Sequence, residues 1–153
     1  MTEKPPEQIR AWRSLMHVHA DVVGALDDAL RAHLGIPGAW YEALIEIALA
    51  GGTMRMNEFA NETTLTRSGA TRFVDRLEAA GLVERRSCPS DRRGWEVVLT
   101  DRGRSVQQQA DPIVLGVIEE RFGRHITDEE AATIASALGR VHTGTARPSA
   151  SLR

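Results

Sequence analysis

Residues 64–100, TLTRSGATRFVDRLEAAGLVERRSCPSDRRGWEVVLT, constrain the fold more than any other part of the chain. Thr66 is placed to cap a helix, because its hydroxyl can accept from the unpaired N–H groups of a first turn. Gly81 is the expected stop, since glycine takes the left-handed conformation just past a helix end at no steric cost. Between them Ala70, Phe73, Val74 and Leu77 recur at helical spacing and predict one buried face. The opposite face carries Ser68, Arg72 and Asp75, flanked by Thr71 and Arg76. Residues 82–86 and 95–99 then read as two strands around a loop at 87–94, with Arg92 and Arg93 near its tip.

The first half of that outer helix face is short, polar and cationic. A helix that enters a major groove needs such a face, because hydroxyls, guanidinium groups and the positive end of the dipole meet phosphates and base edges there. Thr66, Arg67, Ser68, Thr71, Arg72 and Arg76 are the candidate DNA contacts on the helix. Arg92 and Arg93 are placed to reach a phosphate or the minor groove beside it. Helix, hairpin and basic tip together describe a winged helix-turn-helix.

The same run resembles the MarR-type transcriptional regulators. In that family a helix like LTRSGATRFVDRLEAAGLVERR leads into a wing like PSDRRGWEVVLTDRG. Leu99-Thr100 followed by Asp101-Arg102-Gly103 is similar to the family's passage from wing into the next helix. The resemblance covers residues 7–142, in motif at the centre and in pattern at the flanks. Two departures stand out. Phe59 and Phe73 occupy places where leucine is more usual, an exchange within the core, and Cys88 occupies a wing position that is often acidic. The resemblance implies a pocket beneath the DNA-binding lobe for small aromatic acids or phenolic compounds, and Trp12, His19 and Trp40 are the candidates to line it.

The flanks read as helices. Ile9, Trp12, Met16, His19, Val23, Leu26 and Leu30 keep a 3.6-residue period over 7–33, long for a domain of this size. Gly35 to Gly38 interrupts it, and a second helix is expected over 38–50, stopped by Gly51-Gly52. Thr53 to Arg55 reads as a short strand, and Asn57 as the cap of a brief helix carrying Phe59 and Ala60. Thr100 should cap a helix over 101–123, which Pro112 must kink or split by removing a backbone donor. Thr127 and Glu130 form a capping box for a last helix with Ile134, Leu138 and Val141, and residues 143–153 read as a disordered tail.

The whole is one mainly α domain, 1–153, with a small β-wing. The winged lobe spans 38–100, and helices at 7–34 and 101–142 are left for dimerisation. One recognition helix covers too few base pairs to find a single genomic site, whereas a two-fold dimer doubles the site as an inverted repeat.

Composition narrows the function classes. The 153 residues carry a net charge of −2, yet residues 66–104 hold nine arginines against six acids, leaving −5 for the remainder. An acidic chain with one basic lobe can still bind a duplex through that lobe. No run approaches a membrane span, and the N-terminus has no apolar core of a secretory signal. One cysteine excludes an intramolecular disulfide and fits a reducing cytoplasm. His17 and His19 point to different faces of a helix, and no other histidine pairs with them, so neither a metal site nor a cofactor is expected. No nucleophile–base constellation or phosphate-cradling glycine loop indicates an enzyme. The expectation is a dimeric DNA-binding repressor released by an aromatic or phenolic ligand. The alternatives are a winged-helix protein-interaction module without DNA binding, a constitutive regulator, or a thiol-responsive one in which Arg85, Arg86 and Arg92 favour the Cys88 thiolate.

Overall fold

The computed structural model describes residues 6–63, 65–88 and 91–145, the side chains of 91–93 and 144–145 excepted. Among the described residues six helices and three strands follow in the order α1 (Glu7–Leu34), α2 (Gly38–Leu49), β1 (Thr53–Arg55), α3 (Met56–Glu62), α4 (Arg67–Ala79), β2 (Val83–Cys88), β3 (Asp91–Leu99), α5 (Asp101–Arg121) and α6 (Asp128–Thr145). A 3-10 turn, Gly123–His125, joins the last two helices. The strands form one antiparallel sheet in the order β1-β3-β2. Among the described residues no helix is long and apolar enough to cross a membrane.

Two cores organise the chain. The first lies inside the winged lobe, where Leu44, Ile47, Phe59, Val74, Leu77 and Val97 are fully buried. Phe59 and Phe73 fill it with rings 6.2 Å apart and tilted by 37°, which is how two aromatics fit where smaller side chains would also pack. The second core joins Leu30 and Ile36 of the α1–α2 corner to Ala110 and Val114 of α5. Trp40 and Val106 touch both, so α2 and α5 couple the lobe to the long helices.

Several turns form as expected. Thr66 Oγ1 accepts from the Gly69 N–H at 3.1 Å, and Thr100 Oγ1 from the Gly103 N–H at 3.0 Å. Gly81, at φ 71°, lies just beyond α4 in the conformation that glycine alone adopts freely. Thr127 and Glu130 exchange backbone and side-chain bonds at the start of α6, and these bonds hold the Glu130 carboxyl below its usual range. The start of α2 is different: Pro37 offers it no cap, and Asp27 of α1 supplies one by accepting from the Gly38 N–H at 2.8 Å.

Three expectations are corrected, and for Pro112 one of the two expected effects is excluded. The wing strands run through most of the segment expected as a loop, with Trp95 opposite Ser87 and a bulge between Ser87 and Cys88. Backbone pairing alone sustains a two-stranded ribbon that leaves the core, so apolar alternation was a poor guide to its length. Asn57 does not cap α3. Arg55 ends β1 and begins the helix at once, and Glu58 accepts from its N–H at 3.2 Å. Pro112 does not split α5, which runs through it as one helix. Ala110 and Val114 anchor both sides in the core, while Pro112 and Gln108 are exposed, where water can serve the carbonyl that loses its donor. Finally, α6 continues to Thr145, so residues 143–145 are helical; the rest of the expected tail, 146–153, lies outside the described residues.

Candidate nucleic-acid interface

The recognition surface is built on α4. Ala70, Val74 and Leu77 bury its inner face completely, which pins the rotation of the helix and turns Arg67, Ser68, Thr71, Arg72, Asp75 and Arg76 outward. Thr66, the capping residue, is also exposed. Ser68 Oγ lies 3.3 Å from Thr66 Oγ1, and Thr71 Oγ1 donates to the Arg67 carbonyl at 3.0 Å, so these hydroxyls are held near the positive end of the helix. Among the described residues no ion pair engages Arg67 or Arg72. Arg76 is placed differently, with its guanidinium 5.2 Å from the centre of the Phe73 ring. Arg92 and Arg93 occupy the start of β3, at the far end of the wing.

One arginine of the wing ties it to the helix. Arg85 of β2 donates to Glu78 at 2.8 Å, to the Thr71 carbonyl at 2.9 Å, and pairs with Asp75 at 2.7 Å. Its own backbone N–H donates to Glu78 at 2.9 Å. The two acids of α4 thereby share one arginine, which leaves the cluster a net charge of −1 instead of −2. Arg85 reaches α4, Arg86 pairs with Glu84, and Cys88 is buried at the bulge. Helical spacing within α4 could have flagged Asp75 and Glu78 as neighbours, but nothing local says that a strand residue completes them.

Between α4 and the wing lies an open cleft of about 370 Å³, lined by Met56, Asn57, Arg67, Thr71, Arg85 and Trp95. Trp95 is 53% exposed there, which its strand periodicity did not foretell. A second feature is at the lobe's attachment. Tyr41 of α2 donates to Asp111 of α5 at 3.0 Å, and Gln107 donates to the other carboxylate oxygen at 2.7 Å. Burial first, then the bond to Asp111, push the Tyr41 phenol up to about 12.

The three residues expected to line a ligand pocket are not brought together within one chain. Trp12 is 58% exposed and His19 is exposed on α1, whereas Trp40 is half-buried where the two cores meet. What a single chain does show near Trp12 is an apolar groove of about 340 Å³ between α1 and α6, lined by Leu15, Val18, Phe122, Ile134 and Leu138. No cluster of three metal-ligating side chains exists among the described residues.

Comparison with known proteins decides the family. A model described as MarR family matches residues 34–94, which contain the helix pair and most of the wing. The multiple antibiotic resistance protein MarR of Escherichia coli K12 is 30% identical over 108 residues, 71% of this chain and 74% of that protein. The chain belongs to the MarR family. The transcriptional repressor MprA of the same organism is 28% identical over 109 residues, and the match spans 71% of this chain and 61% of that relative's length. Among solved structures, Sco3205 of Streptomyces coelicolor, a MarR family transcriptional regulator in complex with DNA, superposes with a TM-score of 0.85 at 29% identity, covering 99% of this chain and 98% of that one. The protein is thus a MarR-family transcriptional regulator and not an enzyme, with the mainly helical winged fold of its relatives.

Proposed function

We propose that the protein is a homodimeric, sequence-specific DNA-binding repressor whose hold on an inverted-repeat operator is released by a small aromatic or phenolic ligand. The observation that carries this reading is the outward face of α4, where Arg67 and Arg72 stand exposed beside capped hydroxyls and next to a wing bearing Arg92 and Arg93. Thr66, Arg67, Ser68, Thr71, Arg72 and Arg76 read bases and phosphates in the major groove, and the wing arginines hold the flanking backbone or minor groove. The DNA complex formed by Sco3205 and the repressor named among the relatives support the same reading.

Dimerisation follows from what one chain leaves uncovered. Ile9, Trp12, Met16, Val18 and Val23 of α1, Leu115 and Ile118 of α5, and Leu138 and Val141 of α6 are all exposed, and α6 buries no residue of its own among those described. A second copy on these helices removes that apolar surface from water and sets two recognition helices about one turn of DNA apart, ~34 Å. A ligand that prefers a dimer with a different spacing releases DNA, and a tenfold loss of affinity requires ~1.4 kcal/mol of coupling. Trp12, His19 and Trp40 are the residues on which its binding should register.

Retention on calf-thymus DNA or heparin at low salt tests the binding itself. Arg72→Ala should relax base preference at a cost of ~1–3 kcal/mol, and Arg92→Ala should lower affinity more evenly while reducing the salt slope by about one. Folded protein that flows through, or both variants binding an operator like the parent, would end the proposal. Gel shifts and tryptophan emission with a panel of salicylate-like acids test the ligand step separately.

A further inference from the structure

We propose that Trp95 is itself a DNA-contacting residue, its indole lying against the single sugar–phosphate strand that passes between the recognition helix and the wing. The proposal rests on the DNA-binding reading above and adds a contact that the helix and wing arginines do not supply.

The geometry of the duplex provides the argument. A helix in the major groove and a wing in the adjacent minor groove straddle one strand, because one sugar–phosphate ridge separates the two grooves. Whatever lines the cleft between α4 and the wing therefore meets that strand. Here the cleft holds about 370 Å³, with Arg67 and Thr71 on its helix side and Trp95 on its wing side. Trp95 sits on β3 opposite Ser87 and is 53% exposed, which leaves its ring open to whatever enters the cleft.

The charges of the cleft suit a phosphate strand. Asp75, an acid on its wall, is paired with Arg85 at 2.7 Å, a cation it shares with Glu78, which weakens its repulsion of a phosphate. Arg67 makes no ion pair among the described residues and so keeps its charge for a phosphate. The indole face can pack on a deoxyribose, and its N–H can donate to a phosphate oxygen. Such a contact carries no base information. It should hold any duplex alike.

Sonicated calf-thymus DNA is therefore a sufficient probe for the intact protein at low salt. Trp95→Ala should bind it roughly tenfold more weakly, while Trp95→Phe keeps most of the affinity because the ring remains. The salt slope should stay at the parental value in both variants, since an uncharged group displaces no counterion, whereas Arg67→Ala should lower it by about one. DNA should alter the tryptophan emission of the parent but not of Trp95→Phe, in which Trp12 and Trp40 remain. If Trp95→Ala binds as tightly as the parent, or if saturating DNA changes the emission of Trp95→Phe as much as the parent's, the contact is refuted and Trp95 merely covers the hairpin. Should Trp95→Ala fail to fold, the phenylalanine variant and its emission still decide. A folded parent that binds no duplex refutes the DNA-binding reading and this contact together; a parent that binds while the variants behave identically refutes only the contact.

Discussion

Arg85→Ala should lower the melting temperature by more than a substitution on the surface of a wing ordinarily would. The Arg85 side chain is 21% exposed and joins β2 to α4 through Asp75, Glu78 and the Thr71 carbonyl, while its acidic partners are 56% and 39% exposed. Pairs with partners this open are worth ~0.2–1 kcal/mol each after screening. The bond to the Thr71 carbonyl contributes ~1 kcal/mol. Glu78 is not orphaned, because the Arg85 backbone N–H still donates to it. Asp75 and Glu78, three apart on one helix, would then repel each other by a few tenths of a kcal/mol. The loss comes to ~2 kcal/mol, or roughly 4–8 °C in a chain of this length. Circular dichroism melts at matched protein concentration measure it, and Arg85→Lys should recover only part, since an ammonium cannot serve three acceptors in the fork geometry. The same change in an Asp75→Asn background should cost less than in the parent, because the two side chains are coupled. Melting within about a degree of the parent, or strictly additive effects of the two changes, would refute the clamp.

The Tyr41 phenol, the only tyrosine of the chain, should titrate near 12 by phenolate absorbance. Its folded value lies above the ordinary one of about 10, so its contribution is complete below pH ~10 and is lost as pH rises through 12. Tyr41→Phe should flatten that part of the stability–pH curve, and an unchanged curve would exclude the link to Asp111. Gly103→Ala should destabilise by ~1–3 kcal/mol in the same melts, because a Cβ there falls onto the Leu82 carbonyl oxygen and against Leu99. Light scattering should report a dimer, and Leu138→Arg, at the rim of the α1–α6 groove, should shift it toward monomer; a dimer of undiminished affinity would place the interface elsewhere.

Much of the architecture was legible in the residues because its signals are local. Thr66, Thr100 and the Thr127–Glu130 pair announce helix starts within four residues, and the spacing of Ala70, Val74 and Leu77 states which face of α4 is buried. Once that face is known, the outward set from Arg67 to Arg76 follows by rotation alone. What local signals leave out depends on partners in other segments of the chain. The reach of the wing strands is decided by pairing across the hairpin, and the start of α2 by Asp27, eleven residues before Gly38. Tyr41 meets an acid seventy residues away.

The sequence by itself determined the helices, the wing and the chemistry of the recognition face, since periodicity and capping are properties of short segments read one at a time. Only the tertiary structure decided what those segments do to one another. It turned Arg85 from a neighbour of Cys88 into the clamp between helix and wing, left Trp95 bare in the cleft between them, and separated Trp12 and His19 from Trp40. The physical reason is that a side chain's periodicity says which way it points from its own element, whereas its partner is set by how two elements dock, and docking is a compromise among all the buried surfaces at once.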